Sequence, residues 1–237
     1  MDFSVIVDSL GYFMWGAYPD GPLGGAALTL LLSLLSGVAA GVLGLIGGIA
    51  LVTSRGWLRW VLVGVLGFLR AIPVLMLMFW SYFLLPILFH VNVPALATVV
   101  CALSLIGGAY LSHSVAAGIN SLPAGQWAAA RALGLRPAQV LWLVILPQAL
   151  PLMLPSFLNQ WVSLIKDTSL AYVIGVGELS YEATQVSNRV TVHPVEIFLF
   201  VALVYFVLCS ALQLAASRVA RRARGAVTQG LCGAGNN

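Results

Sequence analysis

Three charged residues in the interior of this apolar chain could bind a charged solute. Lys166 and Asp167 are adjacent, and Arg70 lies three residues before Pro73 in a long apolar run. Lysine and arginine pair with carboxylates, while aspartate pairs with an ammonium group. An isolated arginine at the centre of a membrane costs at least ~2.5–3.5 kcal/mol, so Arg70 needs a partner or a position at a membrane edge. A passage for an ionised solute would supply such a setting.

Simpler interpretations exist for the same residues. Arg70 fits a cytoplasmic-edge arginine, and Lys166 with Asp167 fits an anchor at the outer edge of a span. Adjacent residues do not face each other on a helix, so the pair should contact different partners or mark an interruption. Thr168 follows the pair and can satisfy backbone groups that an interruption frees. We therefore treat Arg70, Lys166, Asp167 and Thr168 as candidates for lining a passage.

A second candidate site is an amphipathic helix–turn–helix within residues 122–155. Pro123 suits a helix start, Gly134 is the residue type that ends a helix in a left-handed conformation, and Pro137 suits the start of a second helix. Arg131 and Arg136 give the segment a positive side that faces water. Such a piece can dock into a groove of a partner. The alternative is a solvated cytoplasmic loop whose arginines only fix topology.

The composition shows which elements must position these residues. The 237 residues are 61% hydrophobic and 8% charged, which excludes an ordinary soluble domain. Five apolar runs can each supply the ~20 residues of a transmembrane helix. They are Leu23–Val52, Trp57–Val91, Pro94–Ile119, Val140–Leu164 and Ile197–Ala216. We predict an all-α membrane protein with about five transmembrane helices and the amphipathic segment between spans 3 and 4.

Two of the runs carry further signals. Gly37, Gly41, Gly44 and Gly48 form Gly-x-x-x-Gly pairs, which allow close approach of another helix of this chain or of a neighbouring subunit. The second run is too long for one straight span. We interpret residues 57–69 as an interfacial lead-in and residues 71–89 as the crossing.

Arginines predict the orientation, because cytoplasmic loops are enriched in positive charge. They lie in the first connection, the third connection and the tail, at Arg55, Arg59, Arg131, Arg136, Arg218, Arg221, Arg222 and Arg224. We therefore expect a periplasmic interfacial segment at residues 1–22, a transmembrane domain at 23–217, and a cytoplasmic basic tail at 218–237, disordered at its end. The tail should contact anionic lipid and not nucleic acid.

Motifs of several enzyme classes are absent from the sequence. Lys166, the only lysine, is followed by Asp167, so the chain has no phosphate-binding loop for ATP. It has no His-Glu-x-x-His, so we expect no catalytic residue and no metal site. A self-contained secondary carrier is the alternative transporter, although such carriers tend to contain inverted repeats and none is visible.

The loop and the residues after it resemble a known family. GQWAAARALGL, followed by VILPQALPLMLP and LNQWVSLIKDTSLAYVIGVGEL, is similar to the signature region of membrane subunits of bacterial ATP-binding-cassette importers for polar amino acids. FLRAIPVLMLMFWSYFLLP most resembles the subunits that import glutamate and aspartate. The resemblance implies a coupling loop at about residues 122–142 that sits in a cleft of the ATPase. Its candidate contact residues are Gln126, Ala129, Ala130, Arg131, Gly134, Leu135 and Arg136.

The resemblance also implies partners and a location. The chain would form half of a translocation pathway in the bacterial inner membrane, bind no cofactor itself, and rely on ATP used by a homodimeric ATPase. A sister permease, favoured over a second copy of this chain, and a periplasmic solute-binding protein would complete the importer. The chain departs from the family pattern at His113, Ala116 and Ala128, where relatives generally have Glu, Arg and Glu.

Overall fold

The computed structural model describes residues 6–7, 9–190 and 194–233, with side chains as far as Arg218. Several residues used in the sequence predictions lie outside the described part. They are residues 1–5 and 8 of the predicted N-terminal segment, His193 before the last span, the side chains of Arg221, Arg222 and Arg224, and residues 234–237 at the end of the tail.

Nine helical elements make up the described chain. They are α1 (Leu10–Trp15), α2 (Gly25–Thr53), α3 (Trp57–Ala71), α4 (Val74–Phe89), α5 (Ala95–Asn120), α6 (Ala124–Ala132), α7 (Pro137–Ile174), α8 (Leu179–Val190) and α9 (Pro194–Gly233). Among the described residues, α2, α5, α7 and α9 are long and apolar enough to cross a membrane, and the bent pair of α3 and α4 makes a fifth span. The prediction of about five spans, with a small helix between spans 3 and 4, is confirmed.

Helices α2 and α5 form the centre of the bundle, and glycines allow them to approach closely. A Cβ atom at Gly44 would overlap the side chain of Leu111, and one at Gly48 would overlap Val115. Nearer the start of α2, Gly37 and Gly41 face Trp161 and Phe157 of α7. The Gly-x-x-x-Gly pairs therefore serve packing within this chain, one of the two interpretations that the sequence left open.

The second span is broken at Ile72 and Pro73, where α3 and α4 meet at 99°. Helix α3, the predicted lead-in, packs against α5 and the end of α2. Arg59 near its start donates to the carbonyl of Leu51, while Arg70 near its end lies beside Tyr110, ten residues before the end of α5. Ten helical residues span ~15 Å, so α3 climbs along α5. Both arginines thus find partners within the bundle, and the interfacial position of residues 57–69 stays a prediction.

Proline explains the irregular turns of two other helices. A π-helical segment at Trp80–Leu84 in α4 precedes Pro86, and another at Val140–Ile145 in α7 precedes Pro147. Proline has no amide hydrogen to donate to the carbonyl of the previous turn. A wider, π-helical turn before the proline accommodates this missing hydrogen bond. Helix α7 then runs through Pro151 and Pro155 and ends in a 3₁₀ segment, Thr168–Ile174.

The far end of the bundle is closed by short elements. Helix α1 buries Phe13 against Phe200 of α9, with ring centroids 5.3 Å apart. Helix α8 packs on α1, α2 and α9. Helix α9 continues beyond residue 217, the predicted end of the transmembrane domain, through Gly233.

Candidate functional site

A polar cavity of about 480 Å³ lies where the α3–α4 bend faces α5 and α7. Arg70 to Val74 form one wall, Ile106 and Tyr110 of α5 form a second, and α7 contributes a third. The α7 lining residues are Gln160, Ser163, Lys166 and Asp167. The fold thus brings three of the four predicted pathway residues, Arg70, Lys166 and Asp167, to one cavity.

The fourth predicted residue, Thr168, does not line this cavity. Its side chain is fully buried, and its hydroxyl donates a hydrogen bond of 2.7 Å to the carbonyl of Ile165. The next hydroxyl, on Ser169, donates to the carbonyl of Lys166 at 2.7 Å. Both bonds satisfy backbone carbonyls where α7 changes from α-helix to 3₁₀-helix. Thr168 therefore satisfies a backbone carbonyl at the interruption after Lys166 and Asp167, as the sequence predicts, but it does not line the cavity.

Arg70 is held at the bend by Tyr110. The guanidinium carbon lies 5.0 Å from the centre of the Tyr110 ring, within the range of a cation–π contact. The Tyr110 hydroxyl in turn donates a hydrogen bond of 3.3 Å to the backbone carbonyl of Arg70. One tyrosine thus contacts both the side chain and the backbone of the same arginine.

Sequence reasoning missed Gln160, Ser163 and Tyr110 as lining residues. A signal for the first two was present, because Gln160, Ser163 and Asp167 recur at i, i+3 and i+7 and so share one face of an apolar helix. Tyr110 had no comparable signal, since its distance from Arg70 in the chain is 40 residues. Its place in the cavity depends on the packing of α3 against α5.

The second candidate site, the predicted coupling loop, is anchored by an apolar underside. Ala130 is 4% exposed and belongs to a buried cluster with Val115, Ile119, Val140 and Ile145. Leu135 is half-buried and packs against the same cluster. Ala130 and Leu135, two of the seven predicted contact residues, therefore face the bundle and hold the loop in place.

The opposite side of the loop is open. Ala129, Arg131, Gly134 and Arg136 are exposed, and Leu133 is 83% exposed. Gln126 is half-buried, and its side-chain oxygen accepts a hydrogen bond of 3.5 Å from the side-chain nitrogen of Gln148. Leu133 thus lies exposed between Arg131 and Arg136. A surface with an apolar centre and positive flanks suits an apolar groove with acidic edges.

The turn of this loop depends on Gly134. Its φ is +80°, and its amide donates to the carbonyl of Arg131 at 2.9 Å while the amide of Leu135 donates to Ala130 at 3.3 Å. These bonds close the C-terminus of α6 in a left-handed glycine cap, as the sequence predicts. At the other side of the turn, the amide of Arg136 donates to the side chain of Gln139 at 2.9 Å and caps α7. These hydrogen bonds therefore hold the loop in one defined conformation.

A buried carboxylate ties together the far end of the bundle. Glu178 is fully buried and accepts hydrogen bonds from the amides of Ser180 at 3.0 Å and Tyr181 at 2.9 Å. The hydroxyl of Tyr205 in α9 donates to it at 2.8 Å. Burial raises the pKa of Glu178 to about 7, although these hydrogen bonds favour its ionised form.

The neighbouring Glu182 is also buried and joins α8 to α1. Burial raises its pKa, while a hydrogen bond from Tyr12 and the charge of Arg189 act in the opposite direction. The Arg189 guanidinium carbon lies 5.4 Å from the centre of the Tyr12 ring. Sequence reasoning did not single out either glutamate as buried.

Sequence comparisons match most of the chain to known membrane proteins. The profile of the family described as binding-protein-dependent transport system inner membrane component matches residues 40–225. An L-cystine transport system permease protein of Bacillus subtilis is 36% identical over 199 residues, which cover 84% of this chain and 85% of the relative. A glutamate/aspartate import permease protein of Escherichia coli O157:H7 is 36% identical over 158 residues, covering 63% and 70%. A probable glutamine transporter permease protein of Bacillus subtilis is 37% identical over 149 residues, covering 62% and 68%.

Solved structures show the same architecture. The crystal structure of an amino acid ABC transporter with histidines superposes with a TM-score of 0.81 at 28% identity, over 94% of this chain and 99% of that one. An inward-facing MetNI methionine transporter gives a TM-score of 0.71 at 22% identity, over 82% and 92% of the two chains, and supports the fold alone.

Proposed function

Because the chain belongs to the binding-protein-dependent transport system inner membrane components, we propose that it is the permease subunit of an amino-acid importer that carries glutamate and aspartate. The relatives at 36–37% identity are permeases of amino-acid transport systems, among them systems for cystine, glutamine and glutamate with aspartate. Membership thus supports the class of transporter, and the choice of cargo needs a separate argument.

The observation that carries the cargo proposal is the charge of the cavity. Its charged lining residues are the cations Arg70 and Lys166 and the single carboxylate Asp167. An acidic amino acid has two carboxylates and one ammonium group, so each of its charges would meet an opposite charge. A neutral amino acid would leave one cation without a counterion, which is costly away from water. Gln160 and Ser163 would supply neutral hydrogen-bonding groups for orientation.

The proposed link to ATP is the exposed side of the α6 loop. Leu133, with Ala129, Arg131, Gly134 and Arg136, would enter a groove of a separate ATPase, while Ala130 and Leu135 transmit its movement to the cluster beneath. The cluster joins α5 and α7, which both line the cavity. Closure of an ATPase homodimer would therefore move two cavity walls together. The chain itself would hydrolyse no ATP.

The proposed assembly lies in the bacterial inner membrane. The arginine-rich ends of the spans and the α6 loop would face the cytoplasm, and α1 and α8 would face the periplasm with a solute-binding protein above them. One chain supplies five spans around an open cavity, so a second permease, with a sister chain favoured over a second copy, would complete the pathway. The basic C-terminal segment would contact membrane lipid.

Purification from the host membrane would test the proposed function. The tagged chain would be isolated in mild detergent, its co-purifying proteins identified, and the complex reconstituted in proteoliposomes with the solute-binding protein it requires. We expect a stoichiometric ATPase, and ATP-dependent uptake of L-glutamate and L-aspartate that exceeds uptake of L-glutamine and L-cystine. Preferred uptake of glutamine or cystine would overturn the cargo and leave the importer intact.

The alternative, a self-contained secondary carrier, predicts a different result. The chain would purify without an ATPase and move amino acids in vesicles that lack ATP. A Leu133→Ala variant separates the two, since an importer would lose its ATP-driven uptake and a carrier would keep its ATP-independent uptake.

A further inference from the structure

The backbone carbonyl of Arg70 loses its helical partner because α3 ends at the break formed by Ile72 and Pro73. In an uninterrupted helix this carbonyl would accept from the amide of residue 74, but the chain turns by 99° between α3 and α4. The last helical bond of α3 runs instead from the amide of Ile72 to the carbonyl of Phe68. The Tyr110 hydroxyl donates to the Arg70 carbonyl at 3.3 Å and so provides a partner at the bend.

The same tyrosine restrains the charged end of Arg70. Arginine has several rotatable bonds, and a free side chain loses rotamer freedom when it binds a ligand. The ring of Tyr110, 5.0 Å from the guanidinium carbon, limits that freedom before any solute arrives. Both residues line the polar cavity, so the restrained guanidinium remains available to it.

We propose that Tyr110 is a positioning residue for cargo selection, which holds Arg70 at the bend so that the cavity discriminates in favour of an amino acid with a second carboxylate. This inference rests on the proposed function, since it assigns the preference for acidic cargo to Arg70. Tyr110 acts through the arginine and not by direct charge pairing. Its removal should therefore weaken binding of acidic cargo more than binding of a neutral analogue of the same size.

Two substitutions separate the contacts of Tyr110. Tyr110→Phe keeps the ring over the guanidinium and removes only the hydroxyl bond to the carbonyl. Tyr110→Leu removes both contacts. The phenylalanine variant keeps the packing volume of α5 against α3, so it tests the inference even if the leucine variant assembles poorly. Arg70→Gln, alone and combined with Tyr110→Leu, shows whether the tyrosine acts through the arginine.

Equilibrium binding of radiolabelled L-glutamate and L-glutamine to the purified permease–ATPase complex, without the solute-binding protein, is the measurement. We expect the Kd for glutamate to rise about threefold in Tyr110→Phe and about tenfold in Tyr110→Leu, while the Kd for glutamine changes less than twofold. In the Arg70→Gln background, Tyr110→Leu should add no further loss. Size-exclusion chromatography would verify that each variant complex is assembled.

The outcomes distinguish this inference from the function beneath it. If the wild-type complex binds no glutamate, the proposed cargo is wrong and the selectivity role of Tyr110 fails with it. If the wild type binds glutamate, and both Tyr110→Phe and Tyr110→Leu bind it with the Kd of the wild type, only the inference about Tyr110 is overturned. Equal losses for glutamate and glutamine, or additive losses with Arg70→Gln, would also overturn it, because Tyr110 would then be a wall of the cavity and nothing more.

Discussion

The hydroxyl of Tyr205 donates a hydrogen bond of 2.8 Å to Glu178, a carboxylate that the fold buries completely. Glu178 directly precedes α8, and Tyr205 lies in α9, so the bond joins the start of α8 to the last span. The amide of Leu179 donates to Thr29 at 3.2 Å and adds α2 to the same joint. Three helices are therefore held together through two adjacent residues of one short connection.

This joint predicts a pH-dependent stability. The pKa of Glu178 is raised by burial from 4.5 to about 7. As pH rises above 4.5 the unfolded chain loses this proton first, so the free energy of unfolding falls until the folded state ionises near pH 7. The linked loss is about 3 kcal/mol. Melting temperatures of the complex between pH 5 and pH 8 should fall with pH, and Glu178→Gln should flatten that dependence.

An exposed acid supplies the control for this experiment. Asp20 lies in an exposed turn, and Asp20→Asn should leave the profile of the wild type unchanged. A Glu178→Gln complex that keeps the full wild-type slope would show that the dependence arises elsewhere.

Gly134→Val should abolish ATP-driven uptake while the chain still inserts in the membrane. The φ of +80° is one that β-branched residues avoid, so the turn after α6 must change shape. Uptake in proteoliposomes and the amount of membrane-inserted chain are the two measurements. Gly134→Asn, which tolerates this conformation better, should retain more uptake. Gly125→Ala, at an open helical position of α6, should retain full uptake, and wild-type rates in Gly134→Val would refute the coupling role.

Ala128→Glu should be tolerated. Ala128 is exposed on α6, and a glutamate there lies three residues before Arg131, a pairing worth about 0.2–0.5 kcal/mol on a helix. Assembly with the ATPase, measured by co-purification, should equal that of the wild type. Ala130→Glu is the matched comparison, because Ala130 is buried and a carboxylate would enter the apolar cluster beneath the loop. Loss of assembly in Ala128→Glu would show that this face accepts no acid.

Gly44→Val should destabilise the bundle by about 1–3 kcal/mol or more, since its side chain would overlap Leu111 where α2 and α5 touch. The melting temperature of the purified complex would report the loss. Gly64→Ala on α3 has open space around it and serves as the control. Equal melting temperatures for the two variants would mean that α2 and α5 can separate at no cost.

Local signals predicted much of this structure. The apolar runs predicted the spans, Gly134 and Pro137 predicted the turn between α6 and α7, and Pro73 marked the broken span. Each of these depends on the conformational preference of one residue or on a run long enough to cross a membrane. Such properties can be read without knowing what packs against what.

The composition of the cavity could not be predicted in the same way. Arg70 and Lys166 are 96 positions apart, and they line one cavity because α3 packs along α5 and α7 lies on the other side of the cavity. The burial of Glu178 likewise depends on the hydroxyl of Tyr205 and on the amides of Ser180 and Tyr181. These donors supply the hydrogen bonds that a buried carboxylate needs. Thr168 was assigned to the pathway from its neighbours alone, and the turn of α7 directs it inward.

The chain contains one lysine, and that lysine is an exposed lining residue of the cavity. An amine-reactive fluorophore would therefore label the chain at Lys166 and, apart from the amino terminus, nowhere else. Isotopic labelling of lysine would likewise give a single side-chain signal from this chain in a spectrum of the whole complex. The scarcity of charge that suits the protein to a membrane thus makes its cavity chemically addressable without any substitution.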